Sequence, residues 1–310
     1  MPTLPEIPGA VLIMKGDDVV AYVTSPGVTA RTRFQLASVS KQFTAAAVLL
    51  QAQRGRLRLS DPVGRWIGGC PPSWRDITLH HLLAHSSGLG HWDEYPMIDL
   101  FRWVPLDELL KTFHEVPPLF APGGGWHYSS PGYVLLAHVA ELVADTPYRE
   151  LLERDILGPL GLADTFAGEP GEPGDRADLA IGLGEDGLPT PSYELDVVGM
   201  GAGDLWSTTG DVVRWIDGLR AGRLLDEHHL GLMLSEQAPT GSRPDSRGYG
   251  YGWLVGTVDG RDWFHHSGGN SGFRTYDACV PSSNHRIVIL SNSEATTTAV
   301  LNDVLVAALT

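Results

Sequence analysis

Ser38-Val39-Ser40-Lys41 sets a hydroxyl and an amine three residues apart, just before and inside the first turn of a helix-like segment. Residues three apart share a helix face, so Nζ of Lys41 can approach Oγ of Ser38. A helix N-terminus adds unpaired N–H groups and a partial positive charge. Burial and that positive end both disfavour the ammonium form and lower the lysine pKa. A neutral amine beside a serine hydroxyl is a general base, and the hydroxyl becomes a nucleophile. Two plainer readings fit the same four residues. Ser38 can be a helix N-cap, and Lys41 an exposed helix residue.

Two further segments bear on the choice. Phe120–Tyr133 holds a Pro-Gly run, then Tyr128, Ser129 and Ser130, then an apolar pattern that predicts a helix over Val134–Val143. Tyr128 and Ser130 thus fall at a loop-to-helix junction, where side chains can point into a cleft. The plainer reading makes Tyr128 a core aromatic and Gly123–Gly125 a turn. No Gly-Lys-Ser/Thr follows the triple glycine, so phosphate cradling is not supported. The third segment is Trp263–Phe273. A strand ending in His266-Ser267-Gly268-Gly269 leaves its backbone open to close approach. Its plainer reading is a Gly-rich hairpin turn with two histidines.

The elements that must position these residues follow from periodicity. Gln42–Gln53 carries Phe43, Ala46, Ala47 and Leu50 at i, i+3, i+4, i+7, one buried helical face, and Gly55 is its stop. Both chain ends are β-rich. Ala10–Met14 and Val19–Thr24 are joined by the hairpin signal Lys15-Gly16-Asp17-Asp18. Later come Tyr249–Val258, Arg261–His266, Gly272–Val280 and Arg286–Ser291, with Asp259-Gly260 turning between the first two. A helix over Thr296–Leu309 closes the chain. From Leu59 to Leu225 the pattern is mostly helical. The expected fold is α/β (α+β): an antiparallel sheet built from both chain ends, flanked by helices, with an inserted helical domain. Residues 1–60 plus 225–310 would form the sheet domain and 61–224 the insertion, with the catalytic cleft between them. Ala167–Pro191 is the most loop-like stretch, and Thr240–Gly248 reads as a surface loop.

Composition narrows the function. The 310 residues include 22 basic and 37 acidic ones, a formal charge of −15, with 43% hydrophobic and 19% charged residues. Such a chain is globular, and its charge argues against nucleic acid or anionic lipid as partner. Of the basic residues only Lys15, Lys41 and Lys111 are lysines. Cys70 and Cys279 read as two free, buried thiols. The N-terminus has no basic region and no sustained apolar stretch, so no export signal is read and a cytoplasmic location is expected. His80, His81 and His85 lie on a predicted helix, and His228–His229 and His265–His266 are pairs. No H-E-x-x-H accompanies them, so no metal is expected. G-x-S-x-G and a dinucleotide G-x-G-x-x-G are also absent.

Together the three segments resemble the serine β-lactamase and penicillin-binding-protein superfamily, in its class C β-lactamase-like branch of esterases, amidases and D-amino-acid peptidases. S-x-x-K stands at Ser38–Lys41, the place of Y-x-N at Tyr128–Ser130, and K/H-[ST]-G at His266–Gly268. Leu57–Val63, Ile77–Leu89, Leu157–Leu162 and Ala202–Asp211 are similar to the family as well, and the resemblance runs from about Pro8 to Ala307. It implies catalytic Ser38, Lys41 and Tyr128, and an oxyanion hole from the backbone N–H groups of Ser38 and Gly269. Ser130, His266, Ser267 and Gly268 would bind substrate. Trp92, Trp126 and Trp206 lie near the cleft segments, and Trp126 is the candidate for an apolar acyl pocket.

Two departures qualify what is implied. Ser130 stands where the family has Asn, which bonds the lysine and an acyl-side amide. His266 stands where true β-lactamases and transpeptidases have Lys, which favours a substrate carboxylate. Both point toward a serine hydrolase acting through a Ser38 acyl-enzyme on a small-molecule ester or amide, rather than toward a β-lactamase. The alternatives are an acyltransferase of secondary metabolism using the same acyl-enzyme, and a non-catalytic binding module. No cofactor is implied.

Overall fold

The computed structural model describes residues 4–168 except 101 and 103, then 178–190, 200–241, 246–297, 299, 300, 304 and 308. Strands β1 (Gly9–Lys15) and β2 (Asp18–Thr24) form the expected N-terminal hairpin. The later strands of the same sheet are β6 (Ala238–Pro239), β7 (Gly248–Tyr249), β8 (Leu254–Val258), β9 (Arg261–Asn270), β10 (Phe273–Val280) and β11 (His285–Ser291). The spatial order of this eight-stranded sheet is β2-β1-β11-β10-β9-β8-β7-β6, antiparallel throughout. β1 lies against β11 from Gly9 opposite Ser291 to Lys15 opposite His285, so the two chain ends are joined edge to edge as expected.

Two strand boundaries differ from the sequence reading. The predicted strand Tyr249–Val258 is split into β7 and β8. Gly252 turns there with φ +78°, and a Cβ on it would stand 2.8 Å from Cα of Gln42, so a side chain is excluded. β9 does not stop at His266. It runs on to Asn270, with Gly268 opposite Thr275 and Gly269 opposite Arg274, and the turn falls at Ser271-Gly272. The hairpin-turn reading of these glycines therefore fails: they lie inside a strand.

The sheet is buried on both faces. Along β11 the side chains alternate, Ile287 and Ile289 to one core, Val288 and Leu290 to the other. Each such buried aliphatic contributes about 1.5–3 kcal/mol. The first face carries Val304 and Ala308 of the C-terminal segment, which is helical at the described positions 299, 300, 304 and 308. The remainder of the predicted Thr296–Leu309 helix lies outside the described residues. The second face carries α1 (Ser40–Gln53) and the helix Thr209–Arg220, which packs on β1 and β11. α1 is buried all round from Ser40 to Gln51, not on one face, because helices cover the side away from the sheet. Its polar Gln42 is matched across that interface. Gln42 Nε2 donates to both carboxylate oxygens of Asp277 at 2.9 Å, and Trp215 Nε1 donates to Gln42 Oε1 at 2.8 Å.

The middle of the chain supplies α2 (Leu79–Leu83), α3 (Leu106–Glu115) and α4 (Ser130–Ala144), then Tyr148–Leu152 running through a π turn into Gly158–Leu160. His85 is not on α2. It follows the helix in left-handed backbone, φ +57°. A second, three-stranded sheet joins β3 (Phe34–Gln35), β5 (Leu205–Ser207) and β4 (Phe166–Ala167), in that order. Strands of two or three residues leave no alternation to read. Within the loop-like stretch, 178–190 is bonded to its surroundings, with Arg33 N–H donating to Asp178 O at 2.8 Å and Leu183 N–H to Asn292 O at 2.9 Å. Its residues 169–177 and 191 lie outside the described ones. Within the predicted surface loop Thr240–Gly248, Thr240 and Ser246 are buried and share a 3.0 Å hydroxyl contact, and Gly248 belongs to β7. Cys70 and Cys279 are both free; Cys279 is buried, Cys70 only half-buried. Among the described residues no helix is long and apolar enough to cross a membrane.

Candidate active site

A single 3-10 turn, Ala37–Val39, joins β3 to α1 and carries Ser38. Ala37, just before it, sits in left-handed backbone at φ +47° and is wholly buried. A non-glycine residue held there costs about 1–3 kcal/mol and persists only where the surroundings impose it. Those surroundings are the sheet. Thr275 Oγ1 on β10 donates to Leu36 O at 2.8 Å. A Cβ on Gly268 of β9 would stand 2.5 Å from Leu36 O and 2.9 Å from Ser38 N, so only glycine lets the strand pass so close to the turn. Ser38 makes no capping bond to either turn, which removes the N-cap reading.

Lys41 is completely buried, which removes the exposed-lysine reading. Nζ lies 3.1 Å from Ser38 Oγ, 3.0 Å from Ser130 Oγ and 2.7 Å from the Ala202 carbonyl. Burial pulls its pKa down to about 7, against a smaller upward pull from Asp204. The carbonyl can only accept. A neutral amine therefore donates to Ala202 O and Ser130 Oγ and turns its lone pair to the Ser38 hydroxyl. That is the arrangement a base needs.

Ser130 opens α4, with Ser129 as N-cap accepting from Gly132 N–H at 3.0 Å. Although shorter than Asn, Ser130 still reaches Lys41. Tyr128 precedes it with its ring 4.9 Å from Lys41 Nζ, packed between His85 at 4.3 Å and His91 at 5.4 Å. A cavity of about 250 Å³ brings Ser38, Tyr128, His266, Ser267 and Gly269 together with Tyr249 and Leu254. In it His266 is held at both nitrogens. Nδ1 donates to Ser267 O at 2.7 Å, and Nε2 lies 3.0 Å from the Tyr249 hydroxyl.

A second cavity of about 400 Å³ also opens on Ser38, lined among others by His91, Trp92, Ser130, Gly269, Asn270 and Glu294. Trp126 is not part of either. It lines a separate space with His80, His81 and Gly123–Gly125, with its ring 6.4 Å from that of Tyr128. Of the three tryptophans, Trp92 shares the larger cavity with Ser38, and Trp206 is buried against Phe166 and Phe273. Among the described residues no His, Cys, Asp and Glu cluster could hold a metal ion.

Several contributors were not found by sequence reasoning. His91 and Tyr249 have no local pattern around them, whereas Asn270 directly follows Gly268-Gly269 in the Trp263–Phe273 segment. Ala202 and Asp204 fall in the similar stretch Ala202–Asp211, which was the available signal. Asp204 is buried, accepts from Gly201 N–H at 2.8 Å and is pushed up to about 7 by that burial. Asn270 Nδ2 donates to Gly203 O at 3.0 Å and ties this loop to β9.

Comparison with known proteins adds to this geometry. The sequence profile of the family described as Beta-lactamase matches residues 2–310. Esterase EstB of Burkholderia gladioli is 31% identical over 297 residues, 81% of this chain and 76% of the relative. The D-alanyl-D-alanine-carboxypeptidase/endopeptidase AmpH of Escherichia coli (strain K12) is 25% identical over 285 residues, 84% of this chain and 72% of the relative. Among solved structures, a penicillin binding protein from Bacillus halodurans superposes with a TM-score of 0.84 at 26% identity, over 97% of this chain and 95% of that one.

Proposed function

The chain belongs to the Beta-lactamase family, and on that premise we propose that it is a serine hydrolase acting through a Ser38 acyl-enzyme on a small ester or amide. The observation that carries this reading is the buried Lys41 amine, 3.1 Å from Ser38 Oγ and lowered to about 7. Ser38 attacks the carbonyl carbon while Lys41 takes its proton. The carbonyl oxygen, now anionic, is held by the backbone N–H groups of Ser38 and Gly269, each worth about 3 kcal/mol in acyl chemistry of this kind. Lys41 passes that proton through Tyr128, whose own proton goes to the leaving group, which occupies the cavity of about 250 Å³ with His266, Ser267 and Tyr249. The acyl group occupies the cavity of about 400 Å³ that Trp92 and Ser130 line. Water then frees the acid. In this reading residues 1–60 with 225–310 form the sheet domain, 61–224 the inserted one, and the cleft runs between them.

An ester or a simple amide suits the site better than a β-lactam. His266, engaged with Ser267 and Tyr249, stands where a lysine would draw a carboxylate, and the net charge of −15 repels one. The relative named as an esterase supports the same choice. The test is a p-nitrophenyl ester added in excess over the enzyme. The expected result is a burst of p-nitrophenol equal to the enzyme and a mass gain of one acyl group on Ser38, both lost in Ser38→Ala. A folded enzyme left unlabelled by a panel of such esters overturns the reading. Adding an amine acceptor to the same reaction separates hydrolysis from acyl transfer by its product.

A further inference from the structure

Two histidines hold the segment that carries Tyr128. His85 O accepts from the His127 N–H at 2.9 Å, and its ring Nδ1 accepts from the Ser129 N–H at 3.1 Å. Ser129 Oγ donates to Gly90 O at 2.7 Å. The Ser130 N–H donates to Nδ1 of His91 at 3.2 Å, and His91 is held in turn by its own N–H on Glu94 Oε2 at 2.6 Å. Residues 127, 129 and 130 are therefore bonded to segment 85–91, and Tyr128 stands among them. Its ring lies 4.3 Å from that of His85, centroid to centroid, and meets His91 edge-on at 5.4 Å.

Packing alone does not explain an imidazole at these places. His85 is wholly buried, sits in left-handed backbone at φ +57°, and leaves Nε2 with no hydrogen-bond partner among the described residues. An apolar ring would fill the same space without burying an unpaired N–H. What an apolar ring lacks is the lone pair of Nδ1. The N–H groups it and His91 accept from stand at the start of α4, where a helix leaves its donors unpaired. A carboxylate would accept from them as well, but its charge near Lys41 would favour the ammonium form and spoil the base. A neutral imidazole accepts without that effect. Burial, and then the charge of Lys41, pulls both imidazole pKa values down, that of His91 to about 4, so both rings stay neutral.

We propose that His85 and His91 are positioning residues that act through Tyr128: together they aim its hydroxyl so that its proton reaches the leaving group. This rests on the acyl-enzyme reading above.

The test uses p-nitrophenyl butanoate and phenyl butanoate, two esters of one acid. p-Nitrophenolate leaves readily as the anion, whereas phenolate leaves well only when a proton is supplied. The ratio kcat/KM reports acylation on each. His91→Leu, which removes the acceptor, should lose about tenfold more on the phenyl ester than on the p-nitrophenyl ester. His91→Asn, whose amide oxygen can take the place of Nδ1, should recover most of that selective loss. The same two changes at His85 should behave alike, and asparagine there also suits the left-handed backbone. Should circular dichroism show His85→Leu unfolded, His91→Leu and His91→Asn decide. Tyr128→Phe is the reference and should show the same selectivity in larger measure. Equal loss on the two esters in a folded leucine variant at either position, with Tyr128→Phe selective, overturns the inference alone. A Tyr128→Phe variant without selectivity overturns the proton-donor role of Tyr128 in the reading above, and the inference with it.

Discussion

The position of a single proton governs the chemistry at Lys41. With its pKa at about 7 rather than 10.5, the amine is ionised below that value and free above it. Only the free amine can accept from Ser38. The single-turnover acylation rate should therefore rise as pH climbs through about 7 and level off above, in a stopped-flow profile with a neutral ester. Lys41→Arg should abolish acylation across that range, because a guanidinium does not lose its proton. Retention of the acid limb in the arginine variant would assign it to another group. Ser38, Lys41, Tyr128 and Ser130 could all be found in the sequence because their meaning lies in spacing of two or three residues. His91 could not. It reaches Ser130 across 39 residues by a bond to backbone, and a backbone donor leaves no trace in residue type.

At the scale of elements, the nucleophile is held by the strand that passes under it. β9 can lie against the Ala37–Val39 turn only because residue 268 has no side chain. Gly268→Ala should push the turn and the strand apart, costing about 1–3 kcal/mol of stability. The loss in kcat should exceed the loss in substrate affinity, since a nucleophile displaced by a fraction of an ångström acts poorly even when substrate is bound. Denaturant unfolding and steady-state kinetics on the same variant check both parts. The sequence reading placed β1, β2, β10 and β11 and the helices α1 and α4, since each is long enough to show its period. It ended β9 too early because glycine ordinarily weakens a strand. Here the ladder to Thr275 and Arg274 outweighs that weakness. It gave α1 one buried face because the surrounding helices are distant in sequence, and nothing local announces them.

For the whole molecule, the sheet has to be covered twice. The face away from α1 depends on the C-terminal segment, where Val304 is wholly buried against Ile287 and Ile289. Val304→Asp should cost about 3 kcal/mol and lower Tm, while the pH dependence of acylation keeps its midpoint, because this face is remote from Lys41. A shift of that midpoint would show that the two faces are coupled. The edge-to-edge join of β1 with β11 also has a consequence in time. A ribosome makes Gly9 long before Ser291, so β1, paired early with β2, lacks its other neighbour β11 until all the chain between them has been made. Contacts of such long range make folding slow. The Ser38 turn, which leans on β9 and β10, is shaped only after both have emerged, so the chain acquires its reactive centre late and all at once.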